Sequence, residues 1–335
     1  MLWLASVFIA AFVYFLVVRL VRSTTPKRGK RLSLTEMVAN KPRSWRPWKA
    51  GPYHMMMALR KMEDQDWLLM DNLYLPEQQF RRDLLLTNKE GVMQILPGMD
   101  DVCEELLETV VQFLLERYPE YFQREDEAYI YNALMDERVK MVKPWHRSPL
   151  EIAACLVMED INLLVKRKDD EYCLRASFTM APAGWDLRER IGWPIHKIHK
   201  LVPGWQRKLG KRVKRGLSAL NPGCSMERDT YFIQTGSELF QQQAFPESVV
   251  ERPRVEDLHV RAERQTLRKL PRTEAIVFMV RTYMTPLTDL VDDKESLENL
   301  RSAVRAWPED LGRYKGRNVW GAVFEDWCDE VLEKN

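Results

Sequence analysis

The chain has 335 residues, of which 45% are hydrophobic and 30% charged, as is usual for a globular protein that buries a sizeable core. Its formal net charge of +2 is too small to indicate a general nucleic-acid-binding protein, and no nucleic-acid partner is expected. The five cysteines are scattered, odd in number and without a CxxC pair, which excludes a disulfide framework and a zinc ribbon. They are predicted to be reduced thiols, several of them in the core.

The chain begins with an apolar stretch, residues 2–18, LWLASVFIAAFVYFLVV, which contains no charge. As a helix it would measure roughly 26 Å, close to the thickness of a thin bilayer. A cleaved signal peptide and a buried core helix are the alternatives. Six Lys and Arg residues follow before the first acid, Glu36, so the positive-inside rule places the rest of the chain in the cytosol.

These features predict a single-pass membrane protein, with the endoplasmic reticulum as the expected compartment. Residues 1–22 are expected to form a transmembrane anchor, residues 23–43 a basic linker and residues 44–335 a cytosolic domain.

In chain order, residues 76–92 indicate mixed helix and loop. Apolar residues recur at helical spacing across residues 101–122, which predicts a helix that ends near Pro119. The stretch PLEIAACLVMEDINLLVK, residues 149–166, predicts a second helix, because Pro149 is favourable in a first turn.

Three later stretches predict strands: EYCLRASFTMAP (171–182), DTYFIQT (229–235) and EAIVFMVRTYM (274–284), the last with Arg281 on a solvent-facing side. Residues 295–316 are again helical, with a break near Pro308. Helices, then strands, then helices predict an α+β fold with a mostly antiparallel sheet, preceded by the transmembrane helix.

Several common catalytic motifs are absent from the sequence. It contains no GxGxxG or GxxxxGK[ST] loop, no GxSxG elbow and no HExxH pair, and its cysteines do not suit an iron–sulfur cluster. If the protein is a redox enzyme, its electrons must therefore come from elsewhere.

The histidines are the first candidate ligands, and two of them, His196 and His199, lie in IGWPIHKIHKLVPGW (191–205). Pro194 and Pro203 limit any helix there to one or two turns, and a zinc site would need more ligands nearby. One imidazole is sufficient for a haem iron, whereas the alternative is a histidine on the surface or packed in the core. The other histidines are His54, His146 and His259.

Two charged stretches are the next candidates. Residues 196–215 hold eight Lys and Arg and no acid, which indicates a solvated helix face, a dock for an acidic electron-transfer partner, a lipid contact or a site for cofactor carboxylates. Residues 258–283 pack many charged and polar side chains around a strand, either lining a pocket or forming an internal ion-pair network. These are Arg261, Glu263, Arg264, Gln265, Arg268, Arg272 and Arg281.

The same two stretches carry a family resemblance. PAGWDLRERIGWPIHKIHKLVPG and RAERQTLRKLPRTEAIVFMVRTY resemble the corresponding segments of the haem-dependent oxidative N-demethylase alpha-subunit-like proteins. GPYHMMMALRKM, PLEIAACLVMEDINLLVK and PEDLGRYKG also match, so that the resemblance covers roughly residues 44–317. The chain departs from the family pattern at Ala183, at Glu274 and in RDTYF, residues 228–232.

The resemblance implies a PAS-like antiparallel sheet that holds haem b, and oxidative removal of a methyl group from a small secondary amine with O₂. Electrons would come from a separate reductase or iron–sulfur protein. The matched position for the iron ligand is His199, with His259 and His54 as alternatives.

Arg261 and Arg268 are the residues predicted to bind the cofactor, and Arg264, Gln265 and Arg281 those predicted to be catalytic. A membrane-tethered haem sensor or carrier without turnover is the alternative function, and a scaffold that has lost haem is a third.

Overall fold

The fold is built around a seven-stranded antiparallel sheet, and a second sheet has three strands. The computed structural model describes residues 41–42, 45–243 and 252–333. The strands found there are β1 (Arg60–Lys61), β2 (Met93–Ile95), β3 (Phe122–Arg124), β4 (Tyr129–Asn132), β5 (Glu137–Lys140), β6 (Asp160–Lys166), β7 (Tyr172–Phe178), β8 (Met226–Thr235), β9 (Leu258–Lys269) and β10 (Ile276–Pro286).

The helices lie before, between and after these strands. The α-helices of the described residues are α1 (Tyr74–Thr87), α2 (Lys89–Val92), α3 (Asp100–Arg117), α4 (Pro149–Ala154), α5 (Leu187–Arg190), α6 (Ile195–Ile198), α7 (Lys211–Ala219), α8 (Lys294–Arg305), α9 (Glu309–Tyr314) and α10 (Arg317–Glu333). A π-helical turn, Gln206–Gly210, leads into α7.

The large sheet has the strand order β1-β8-β9-β10-β6-β7-β2, and every pairing in it is antiparallel. Strands β9 and β10 form a long hairpin at its centre. Glu105 of α3 holds the turn of this hairpin, because its carboxylate accepts hydrogen bonds from the backbone N–H groups of Arg272 and Thr273 at 2.7 and 2.8 Å. The hairpin is thereby fixed relative to the helical layer.

Successive side chains of a strand point to opposite faces, and the two faces of this sheet differ. One, which we call the core face, carries fully buried residues such as Ile161, Met279 and Ile233 and belongs to the two larger hydrophobic clusters. The other, the cleft face, is defined over β8, β9 and β10 by Arg228, Thr230, Phe232, Arg261, Glu263, Gln265, Val280, Thr282 and Met284. Most of the cleft-face residues are only half-buried, which leaves room there for a ligand.

Several predictions from the sequence are confirmed. The helix predicted over residues 101–122 is α3, and the predicted strands correspond to β7, β8 and β10. The predicted break near Pro308 separates α8 from α9. All five cysteines are free and four are buried, so the predicted placement of several thiols in the core is also confirmed.

Three local predictions are wrong. Residues 76–92, predicted as mixed helix and loop, are almost entirely helical, in α1 and α2 with only Asn88 between them. Only the first part of residues 149–166 is helical, and the rest is β6, a buried strand between β10 and β7. Arg281 lies on the core face with 1% of its surface exposed, and not on the solvent-facing side of β10 as predicted.

The predicted fold class also needs correction. The chain is α+β with a large antiparallel sheet and helices, but no helix within the described ranges is both long and apolar enough to cross a bilayer. The stretch predicted as an anchor, residues 1–22, lies outside the described residues, as does most of the predicted linker.

Candidate functional site

The segment that carries His199 covers one end of the cleft face. Ile195 and Ile198 of α6 pack against a small hydrophobic cluster that includes Leu267 and Ile276 of the sheet. Pro194 precedes α6, which has a single turn, and His199 is the residue at its C-terminal end. A short helix anchored on the sheet thus positions this imidazole.

His199 is held in one tautomer. Its Nδ1 lies 2.9 Å from the carbonyl oxygen of Ile195, and since a carbonyl can only accept, Nδ1 carries the proton. The Nε2 atom is then left with its lone pair, and the ring is further fixed by stacking on Trp205, with centroids 4.8 Å apart and an interplanar angle of 8°. An imidazole anchored through one nitrogen is the usual arrangement of a metal ligand.

The surroundings of His199 favour its neutral form. Its pKa is lowered mainly by burial, with a further contribution from the positive charges of Arg228 and Arg190. A neutral imidazole is the form that can ligate iron. Arg228 belongs to the cleft face and Arg190 is the last residue of α5. Their effect on this pKa shows that His199 lies close to both.

The floor of the cleft is set by strand register. Arg228 of β8 pairs with Gln265 of β9. Two residues along β9, Glu263 lies between Thr230 of β8 and Thr282 of β10. Gln265 donates a hydrogen bond of 2.9 Å to Glu263, so the carboxylate is held at the middle of the sheet.

Two buried polar atoms on this floor have no hydrogen-bond partner in the described part of the chain: Nε of Arg228 and Oγ1 of Thr282. Thr282 is only 7% exposed, and leaving a buried polar group unsatisfied costs roughly 1–3 kcal/mol. Orphaned atoms that share one face of a sheet indicate a site that a polar ligand completes.

Lys315, which follows α9, closes one side of the cleft. Its Nζ donates to the carbonyl oxygen of Tyr231 at 2.6 Å and lies 4.3 Å from the ring centroid of Trp307. Burial lowers the pKa of Lys315 to about 7, with Glu263 partly opposing and Arg228 adding to the effect. Tyr314, the preceding residue, has its pKa raised by burial and interacts electrostatically with Arg190 and Glu263.

Arg190 and Tyr53 complete the group of residues around His199. The Arg190 guanidinium lies 4.8 Å from the ring centroid of Trp185, and burial lowers its pKa. Burial raises the pKa of Tyr53, which interacts with Arg228. The site therefore combines one neutral histidine, two arginines, one lysine with a low pKa and one carboxylate.

The structure divides the predicted site residues between the two faces. Gln265 and Arg261 are on the cleft face, together with Glu263. Arg261 is fully buried, and its guanidinium donates to Gln234 Oε1 at 3.2 Å and to the carbonyl oxygen of Ala181. Arg261 is thus a buried part of the cleft face, with its Nε 3.5 Å from Oε1 of Glu263.

Arg264, Arg268 and Arg281 have the opposite parity and lie on the core face, away from Gln265. Arg264 donates to Glu227 at 2.7 Å and to two backbone carbonyls, and Arg281 bonds to Glu77 and Asp71.

Arg268 lies 4.4 Å from the ring centroid of Trp67 and 3.5 Å from Asp64. These contacts are those of an internal ion-pair network, the alternative considered for this stretch. The structure does not bring these three arginines together with His199.

The remaining histidines are placed elsewhere. His196 is exposed, and its Nδ1 lies 3.3 Å from Glu171. His54 and His146 are exposed, and Nδ1 of half-buried His259 lies 3.4 Å from the carbonyl oxygen of Asp257. Of the five, His199 is the one whose ring is both stacked on an aromatic ring and hydrogen-bonded to the first residue of α6, Ile195.

Sequence reasoning missed Arg190, Arg228 and Lys315 and gave Glu263 no role. The parity of β9 could have indicated Glu263, because it shares a face with Gln265 and not with Arg264. Arg190 and Lys315 come from helical segments far apart in the sequence, and no local pattern shows that they meet Arg228.

No group of three or more His, Cys, Asp or Glu in the described ranges could hold a metal ion unaided. A haem iron can be held by a single protein imidazole and does not need such a group. The sequence profile of a family described as haem-dependent oxidative N-demethylase, alpha subunit-like, matches residues 58–324, about four fifths of the chain. The match includes His199 and the whole floor of the cleft, and the chain belongs to this haem-dependent oxidative N-demethylase alpha-subunit-like family.

Proposed function

We propose that the protein is a haem-dependent monooxygenase that oxidatively removes a methyl group from an amine or a related methylated metabolite, using O₂ and electrons from a separate donor. The observation that carries the proposal is the state of His199, whose Nδ1–H is bonded to a backbone carbonyl and whose Nε2 is free. Membership of the family supports the same chemistry.

The residues around His199 fit haem b. Nε2 of His199 would bind the iron, and Arg228, with its orphaned Nε, together with Arg190 would pair with the two propionate carboxylates. When bound, haem supplies the iron centre at which O₂ is activated. The chain itself fixes the ligand's tautomer through Ile195 and its ring orientation through Trp205, both of which tune a bound haem.

Glu263 is the group best placed to bind an amine. It lies on the cleft floor and is oriented by Gln265. Thr282, whose hydroxyl has no partner among the described residues, is directly opposite on the neighbouring strand β10. A carboxylate and a hydroxyl oxygen can accept the two N–H groups of a secondary ammonium ion, and the charge strengthens these bonds. This arrangement supports an amine as the substrate class.

The iron ligand is tested by the absorption spectrum of the full-length chain, purified after expression with a haem precursor. We expect a Soret band in the wild type that is lost or strongly shifted in His199→Ala, because the iron would lose its axial imidazole. His196→Ala is the matched control, since it removes an exposed imidazole three residues away, and it should keep the wild-type spectrum. A Soret band unchanged by His199→Ala would refute the assignment.

Turnover is tested separately, by supplying a reductant and assaying formaldehyde from secondary amines. Formaldehyde in proportion to the amine consumed is the expected result. A haem-loaded chain that produces none would instead be a haem sensor or carrier, and a chain that takes up no haem would be the scaffold considered above.

A further inference from the structure

The segment that holds His199 presents an uninterrupted set of positive charges to solvent. No acidic residue occurs between Glu189 and Glu227. Seven Lys and Arg side chains of this segment are exposed, and we call them the basic face: Lys197, Lys200, Arg207, Lys208, Lys211, Arg212 and Arg215. None of the seven forms an ion pair with another described residue, in contrast to Lys214, which contacts Asp170 and Glu171.

An exposed apolar side chain lies among these cations. Leu201 follows Lys200 and is 74% exposed, one of the most exposed large hydrophobic residues in the described part of the chain. The apolar residues Leu209 and Leu217 of the same segment are buried, so they hold it against the protein and leave Leu201 to solvent. An apolar point surrounded by charge is the usual composition of a protein–protein interface.

The basic face is close to His199 through Trp205. The Trp205 ring stacks on His199 and also lines a surface cavity of about 260 Å³ together with Lys211 and Lys214. The indole of Trp205 and the imidazole of His199 would therefore lie between a protein bound to the basic face and the proposed iron position.

We propose that the basic face docks an acidic protein that donates single electrons. This inference rests on the proposed function, which requires an external electron source. The step is a one-electron transfer, in which the donor is oxidised by one electron and the haem iron that His199 would hold is reduced from ferric to ferrous. Opposite charge on the partner would steer the encounter and orient its redox centre toward Trp205.

Two other anionic partners fit the surface less well. A lipid bilayer would contact a broad apolar helix face, but Leu217 of α7 is buried and Leu201 alone is strongly exposed. A nucleic acid would call for exposed aromatic side chains between the charges, and Trp205 is only 5% exposed. Both are included as outcomes of the test.

The probe is a reduced, acidic plant-type [2Fe–2S] ferredoxin, and the test protein is the full-length chain loaded with haem. Lys211→Glu with Arg215→Glu reverses two exposed charges of the basic face. Lys49→Glu with Arg124→Glu is the control, because it makes the same change in net charge at exposed sites outside the segment. Calorimetry gives the ferredoxin Kd, and stopped-flow absorbance gives the rate of haem reduction.

We expect the basic-face variant to raise Kd and to slow reduction by ferredoxin at least tenfold, with weaker salt dependence, because an attractive charge pair becomes repulsive. Reduction by dithionite, which needs no docking, should stay at the wild-type rate. The control variant should resemble the wild type in all three measurements.

Equal binding and reduction in both variants would overturn the proposal. So would charge-dependent binding to phosphatidylserine vesicles or to a DNA oligonucleotide that is tighter than binding to ferredoxin. If the wild-type chain takes up no haem, the proposed function fails, but the calorimetric comparison of the two variants still decides whether the surface binds an acidic protein.

Discussion

At the scale of single residues, neighbouring positions of one strand have opposite roles in this protein. Glu263 and Gln265 of β9 point into the cleft, whereas Arg264, which lies between them, is buried on the other face and bonds to Glu227 and the backbone. Strand geometry alone produces this division, because side chains alternate between faces. The carboxylate is the one of these side chains that can meet a cationic substrate.

Replacing Glu263 with Gln should weaken binding of dimethylamine to the haem-loaded chain. The variant keeps the shape and the hydrogen bonds but loses the negative charge, and charge-assisted hydrogen bonds contribute about 1.5–3 kcal/mol. We expect Kd to rise roughly tenfold to a hundredfold, measured from the change in the Soret band on titration with the amine.

Glu274→Gln is the control for that experiment, because this carboxylate is exposed in the turn between β9 and β10 and pairs with Lys269. It should not change Kd. Equal affinity in the wild type and in Glu263→Gln would show that Glu263 does not bind the amine.

The sequence indicated the proposed iron ligand only through a motif, and it could not indicate the residues around it. His199 lies in a recognisable stretch, but the cations beside it, Arg190 and Arg228, come from a helix and a strand that meet only in the folded chain. Likewise, the arginines of residues 258–283 could be named but not assigned to a face, because the register of β9 depends on its neighbours.

At the scale of secondary structure, prediction of α3 succeeded because one side of this helix faces solvent. Its buried residues Val102, Leu106, Val110 and Leu114 recur at helical spacing, and Glu108 and Gln112 of the same helix are exposed. Strand β6 is buried on both faces, so its sequence shows no alternation and reads as a continuation of α4. Its pairing with β10 and β7, which determines its structure, is not visible in the local sequence.

Arg281 joins two elements, and its removal should destabilise the fold. It connects β10 to Glu77 of α1 and to Asp71, and all three side chains are less than a tenth exposed. Arg281→Met would leave two carboxylates buried without their partner, which costs about 3–5 kcal/mol. Urea denaturation should show this loss in the free energy of unfolding.

Adding Glu77→Gln and Asp71→Asn to Arg281→Met should recover much of that stability, because no uncompensated charge remains. Arg313→Met, at an exposed pair with Glu309, is the control and should leave the free energy of unfolding nearly unchanged. If Arg281→Met folds as stably as the wild type, the structural role inferred for Arg281 is refuted. The catalytic role predicted from the sequence would then be the explanation to test.

At the scale of the whole molecule, the sheet separates stability from function. Its core face belongs to the two larger hydrophobic clusters, whereas the cleft face has one small cluster and a group of partly buried charges. Several of these charges are in an unfavourable environment without a ligand, as the lowered pKa values of Lys315, Arg228 and His199 show. The haem-free chain should therefore be less stable at a pH where these groups are protonated.

Lys315 gives this effect a defined pH window. Its pKa is about 7 in the fold and about 10.4 in the unfolded chain, so between these values the unfolded state binds one more proton than the native state. The free energy of unfolding should then rise with pH through this window, by up to about 1.4 kcal/mol per pH unit. Lys315→Met removes the titrating group, so the variant should be the more stable protein at pH 7 and should lack this rise.

Urea denaturation of haem-free protein at several pH values between 7 and 10 measures the difference between wild type and variant. That difference isolates Lys315, because other groups that respond in this range, such as Cys103 and Cys328 with pKa values raised to about 12 by burial, are common to both proteins. Lys208→Met, at an exposed lysine, should follow the wild type at every pH. Parallel pH profiles for wild type and Lys315→Met would mean that Lys315 is charged in the cleft, and that the site holds three cations around one neutral imidazole.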